Sequence, residues 1–101
     1  MSDLPIACML DLAELNARRD TLLPGLAAQA IAQEVLPDGM RWRFEPFRDL
    51  LATVATTIEA ERHCCRFLRF AVAIEPEEGA VTLTVTGPPG TREFLIALTR
   101  A

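Results

Sequence analysis

The stretch Pro37-Asp38-Gly39-Met40-Arg41-Trp42-Arg43-Phe44-Glu45 decides the fold. Met40, Trp42 and Phe44 alternate with Arg41, Arg43 and Glu45. That period of two belongs to a strand with one buried and one wet face. The preceding residues, Ile31 to Leu36, read as its partner strand. Between them Pro37-Asp38-Gly39 makes the turn, with Asp-Gly offering the positive φ that tight hairpins use.

Downstream, Pro46 suits the first turn of a helix, where its missing N–H costs nothing. Phe47, Leu50, Leu51, Val54, Ala55 and Ile58 then lay an apolar stripe along one helical face. A second hairpin follows. Phe70, Val72 and Ile74 alternate with Ala71 and Ala73, Glu75-Pro76-Glu77-Glu78-Gly79 turns the chain, and Val81, Leu83 and Val85 alternate with Thr82, Thr84 and Thr86. Gly87-Pro88-Pro89-Gly90 ends that strand. Thr91 is expected to cap a short helix that docks Phe94, Leu95 and Leu98 on the sheet, with Glu93 well placed in its first turn.

Upstream, Pro5-Ile6-Ala7-Cys8-Met9-Leu10 is a short apolar run that fits an edge strand or an ordered lead-in. Asp11 with Glu14 marks a helix start. Leu12, Leu15, Arg19, Leu22, Leu23 and Leu26 keep helical spacing until Pro24-Gly25 interrupts or kinks it. The expectation is one helix over about 12–23 and a short helical turn after it.

The order (β)–α–β–β–α–β–β–α predicts a single α+β domain over 1–101. It would be a two-layer sandwich: a mostly antiparallel four-stranded sheet, built of two hairpins, with two to three helices on one face. The other face would carry Arg41, Arg43, Ala71, Ala73, Thr82, Thr84 and Thr86. It is polar enough for water, and its small residues can support a homodimer. Two halves, each a helix followed by a hairpin, suggest a pseudo-repeat without residue-level similarity.

Half of the 101 residues are hydrophobic and 24% are charged, a globular composition. The net charge of −4 argues against a nucleic-acid partner, which needs a basic surface. No apolar run approaches membrane-spanning length, so no membrane partner is expected. The start, Met1-Ser2-Asp3-Leu4-Pro5, has neither a basic n-region nor a long apolar run, so a cytoplasmic location with reduced thiols is expected. Three cysteines, two of them adjacent, make a poor disulfide framework. Metal binding or thiol chemistry is the more natural use.

The junction Glu61-Arg62-His63-Cys64-Cys65-Arg66-Phe67-Leu68-Arg69-Phe70 concentrates that chemistry. It holds two of the three cysteines, the sole histidine and three arginines. Extending the apolar stripe lands on Glu61 and then on Cys64 and Cys65, so the carboxylate and the thiols take the core-facing side. Thiolates prefer soft ions, Hg(II), Cu(I), Cd(II) and As(III), and also bind Zn(II). Adjacent cysteines on an ideal helix diverge by about 100°, but a helix ending between them lets the second swing back. Cys8 can then join Cys64 and Cys65, and His63 or Glu61 can complete a Zn(II) site. Glu61 is a supporting carboxylate, or the ion-pair partner of Arg18 or Arg62. The helix C-terminus works against thiolate formation, while Arg62, Arg66 and Arg69 oppose that effect. No organic cofactor is expected.

Plainer roles stay open. Cys8 fits a small core hydrophobe, His63 an exposed polar residue, and Glu61 a stripe-edge residue that reaches water. Gly87-Pro88-Pro89-Gly90-Thr91 precedes a helix and can meet an anion, but it lacks the lysine and spacing of a P-loop and reads as a turn.

Glu61-x-x-Cys64-Cys65-x-Phe67-Leu68-x-Phe70, followed by Leu83-x-Val85-Thr86-Gly87-Pro88-x-Gly90, resembles a family of small, uncharacterised bacterial proteins connected with heavy-metal resistance, mercury in particular. Ala7-Cys8-x-Leu10, Arg18 and Leu22-Leu23-Pro24 extend the resemblance over nearly the whole chain. It implies that Cys8, Glu61, Cys64 and Cys65 belong to one site, and it implies no activity. The chain departs from the family at Arg66, commonly proline there, and at His63, often arginine.

Three functions follow as expectations. The first is a thiol-based binding protein for a soft metal or metalloid, serving sequestration or transfer. The second is a thiol-dependent oxidoreductase or lyase, in which Cys64 or Cys65 attacks, the other cysteine or Cys8 resolves, and Glu61 moves the proton; the absence of a Cys-x-x-Cys counts against it. The third is a structural or dimerising module.

Overall fold

The computed structural model describes residues 22–99, without the side chains of Leu22 and Cys64. The elements are α1 (Leu22–Ala27), β1 (Ala32–Leu36), β2 (Gly39–Phe44), α2 (Leu50–Cys64), β3 (Arg69–Ile74), β4 (Val81–Thr86) and α3 (Thr91–Thr99). The strands form one four-stranded sheet in the order β1-β2-β4-β3, and every neighbouring pair is antiparallel. This is the expected α+β sandwich. The run around Cys8 and the helix predicted over 12–21 lie outside the described residues.

Register makes the core. Met40 faces Val85, Trp42 faces Leu83 and Phe44 faces Val81 across the two central strands. Leu23 and Leu26 of α1, Leu50 and Val54 of α2, and Leu95 and Leu98 of α3 close over that face. On the opposite face Arg41 pairs with Thr84 and Arg43 with Thr82, and those threonines pair in turn with Ala71 and Ala73. There Arg41 reaches Glu34 at 2.8 Å and the Thr84 hydroxyl at 3.3 Å. The expected division into an apolar and a polar face holds.

Strand order and direction place the two hairpins as a two-fold axis through the Trp42–Leu83 pair would place them. The pseudo-repeat is therefore topological. The linkers differ: β1 and β2 are joined by Pro37-Asp38, with Leu36 paired to Gly39, whereas residues 75–80 join β3 to β4.

Four local expectations are corrected. Gly39 does not supply a positive φ; among the described residues only Asp49, Glu77, Glu78 and Gly90 have one. Gly39 is needed for clearance, because a Cβ there would lie 1.9 Å from the Val85 carbonyl oxygen. The second helix starts at Leu50 and not at Pro46. Asp49 is left-handed (φ 65°), which breaks helical backbone, and the Leu50 N–H instead closes a turn onto the Phe47 carbonyl at 3.0 Å. Pro24-Gly25 lies inside α1, which runs on to Ala27, so the pair does not end the described helix. Finally, the Thr91 hydroxyl donates to the Pro88 carbonyl at 2.7 Å, so it ties the preceding turn together instead of accepting from the helix.

The covered area is narrower than the alternation suggests. β3 turns Phe70, Val72 and Ile74 toward the helical side, yet Val72 and Ile74 are 40% and 57% exposed. Ile31 and Val35, at the other edge, are also exposed. The described helices cover the two central strands and leave both margins open. None of these helices is long and apolar enough to cross a membrane.

Candidate thiol–carboxylate site

Helix α2 points a stripe inward at a spacing of three or four residues: Leu50, Val54, Thr57 and Glu61, continued by Cys65. Thr57 was missing from the apolar pattern because its hydroxyl is polar. It is buried after donating to the Thr53 carbonyl at 2.8 Å, the back-bond that lets threonine sit inside a helix. Leu51 and Ala55, read from the sequence as stripe members, face out.

The helix ends between the two cysteines, which is the condition for the second to swing back. Cys64 is its last residue, and Cys65 leaves helical backbone at φ −120°, ψ 80°. The Cys65 N–H still donates to the Glu61 carbonyl at 2.7 Å, so the chain closes one last turn before it diverges. The Leu68 N–H then bonds the Cys65 carbonyl at 3.1 Å and aims the chain into β3. Phe67, in this connection, meets Phe94 of α3 edge to face (centroids 5.4 Å apart, planes at 72°), which fixes the connection against the last helix.

Glu61 and Cys65 are both fully buried. Each is engaged by a polar or electrostatic partner. A carboxyl group inside an apolar core must be hydrogen-bonded, paired or neutral, because an isolated buried charge is prohibitive. This thiol and carboxyl, one helical turn apart and shut away from water, are the chemically distinctive feature of the core. Trp42 adds a second polar anomaly, since its buried indole N–H has no acceptor among the described residues.

The other residues singled out in the sequence go elsewhere. His63 and Arg62 are exposed on the outer face of α2, where both reach Glu59, at 3.0 Å and 3.7 Å. Arg62 is thus the partner of Glu59 and not of Glu61, because residues three apart share a helical face and adjacent ones do not. His63 lies two residues from Cys65, which on a helix turns the side chains to opposite sides. The structure buries both Glu61 and Cys65 and leaves His63 and Arg62 on the exposed side of the helix. Cys8 and Arg18 lie outside the described residues, as does the Cys64 side chain. Among the described residues no three His, Cys, Asp or Glu side chains converge on one point. A two-thiol site that includes Cys65 must therefore draw on Cys64 or Cys8, and a three-thiol site on both.

No family model matches the chain, and no similar protein was found among curated sequences or solved structures.

Proposed function

We propose that this chain is a thiol-based binding protein for a soft metal or metalloid, with Cys65 and Cys64 as ligands and Cys8 as the third. The observation that carries the proposal is the burial of Cys65 one turn from Glu61, at a helix end that falls between the two cysteines. Binding a soft ion to a thiol releases a proton, and a neighbouring carboxyl group is a suitable acceptor. Exclusion of water favours thiolate–metal bonds over exchange with solvent. His63 is left out of the ligand set, since its ring faces away and is held by Glu59. The resemblance to small bacterial proteins connected with mercury resistance supports the same reading, with sequestration or hand-over in the cytoplasm as the role.

A thiol-dependent enzyme is less well supported. A nucleophilic sulfur must meet its substrate, and Cys65 has no exposed surface.

The test is native mass spectrometry of the reduced protein titrated with Hg(II), Cu(I), As(III) and Zn(II), with thiol counting alongside. One ion per chain with two or three thiols protected is the expected result, lost in Cys65→Ala and in Cys64→Ser while the domain stays folded. Retained stoichiometric binding in either variant would overturn the ligand assignment. No protected thiol with any ion would overturn the function.

A further inference from the structure

The outer side of the same helix end carries a feature that the thiol reading does not use. Glu59, Arg62, His63 and Arg66 rim a surface depression whose apolar side is formed by Leu68 and Phe70. The rim has an excess of positive charge. Its two guanidinium groups face a single carboxylate, and Glu59 is already shared between Arg62 and His63, with the Arg62 contact long at 3.7 Å. Arg66 is exposed and has no ion-pair partner among the described residues. This local excess sits in a protein whose net charge is −4.

A solvated basic patch needs no apolar floor. Here Leu68 is nearly buried and Phe70 half-buried, so the cationic rim borders hydrocarbon and an aromatic ring. Arg62 on the last turn of the helix and Arg66 in the turn beyond it both line this depression, so one acidic group bound there can meet both guanidinium groups. Guanidinium groups form bidentate bonds with phosphate and carboxylate oxygens, and an adjoining ring accepts an aromatic body. We infer that this depression binds a small organic anion, an acidic oxyanion group joined to an apolar or aromatic body. The oxyanion would lie between Arg62 and Arg66 and the body against Phe70 and Leu68. The site requires no metal, so it stands or falls independently of the thiol reading.

Phenyl phosphate and inorganic phosphate, each titrated into the reduced, metal-free full chain and followed by amide NMR shifts, test the inference. Phenyl phosphate should give saturable shifts concentrated over residues 62–70, and inorganic phosphate should bind several-fold more weakly. Arg62→Ala/Arg66→Ala should weaken phenyl phosphate by about ten-fold or more, in line with the loss of two charge-assisted contacts. Arg41→Ala, on the far face of the sheet, should leave binding unchanged. Both arginines are exposed, so the double variant is expected to fold, and its amide spectrum reports that directly. An absence of saturable shifts, shifts centred elsewhere, or equal binding by the double variant would each overturn the site. Equal affinity for the two phosphates would overturn the role of the apolar floor.

Discussion

The Cys65 N–H donates to the Glu61 carbonyl at 2.7 Å, and both side chains are fully buried. One backbone bond thus sets a thiol and a carboxyl on the same inner face at the point where the helix stops. If Cys65 is as enclosed as this geometry indicates, its replacements separate by polarity. Cys65→Ala removes one buried sulfur and should cost about 1 kcal/mol. Cys65→Ser keeps the size but buries a hydroxyl, which costs up to about 1–3 kcal/mol beyond the alanine variant, less whatever a hydrogen bond to the group that engages Cys65 returns. Urea unfolding of both variants reads the difference. Equal stabilities would mean that the hydroxyl is satisfied there, by water or by the group that engages Cys65.

Gly39 is the tightest point between the central strands. A Cβ would stand 1.9 Å from the Val85 oxygen and 2.8 Å from the Thr86 Cα, both backbone atoms that cannot rotate away. Gly39→Ala should therefore force β2 and β4 apart where the Asp38 carbonyl accepts the Gly87 N–H at 3.0 Å. The expected loss is about 3 kcal/mol or more, at the upper end of overpacking costs. A variant as stable as the parent would show that the strands separate more widely there.

These two residues show what was legible in the sequence and what was not. Alternation at 40–45 and 81–86 announced the central strands, since the pleat alone dictates it. The stripe on α2 led to Glu61 and Cys65 because helical spacing continues through polar residues as well as apolar ones. Gly39 was visible as a turn residue, but its purpose depends on a strand more than forty positions away, which local pattern does not contain. Asp49 hid the true start of α2, because a left-handed aspartate leaves no periodic mark. His63 and Cys65 looked like one cluster in the chain. In space the same helical geometry sends one to water and the other to the core. The open margins at Val72 and Ile74 depend on how far the helices reach across the sheet, a tertiary quantity.

Glu93 offers a pH measurement free of the core. Arg92 donates to it at 2.8 and 3.1 Å, and these bonds, followed by the backbone N–H of Glu93 itself, hold its carboxyl below the usual glutamate range. Its folded pKa is depressed. Any stabilisation is therefore present above the unfolded value and is lost as pH falls through the folded one. The group is exposed, so the effect belongs in its own titration curve and not in global stability. NMR titration should place Glu93 below a peptide glutamate, and Arg92→Ala should move it back up. An unchanged midpoint in that variant would assign the shift to the helix terminus.

The turn between β3 and β4 is built from the wrong residues for its shape. Glu77 and Glu78 both adopt left-handed backbone, at φ 59° and 58°, and the Gly79 N–H closes onto the Pro76 carbonyl at 3.1 Å. Two consecutive positive φ angles define the turn that matches the twist of a hairpin, and Asn-Gly is the pair that adopts it with least strain. Non-glycine residues carry about 1–2 kcal/mol each in this conformation. Glu77→Asn/Glu78→Gly should thus stabilise the domain by about 1–2 kcal/mol, part of the relief being offset by the entropy glycine gains when unfolded. Removing two of the crowded carboxylates Glu75, Glu77 and Glu78 should add a further gain that high salt abolishes. Thermal unfolding at low and high ionic strength separates the two contributions. A double variant no more stable than the parent in high salt would mean that the backbone here is not strained, and that any low-salt gain comes from charge alone.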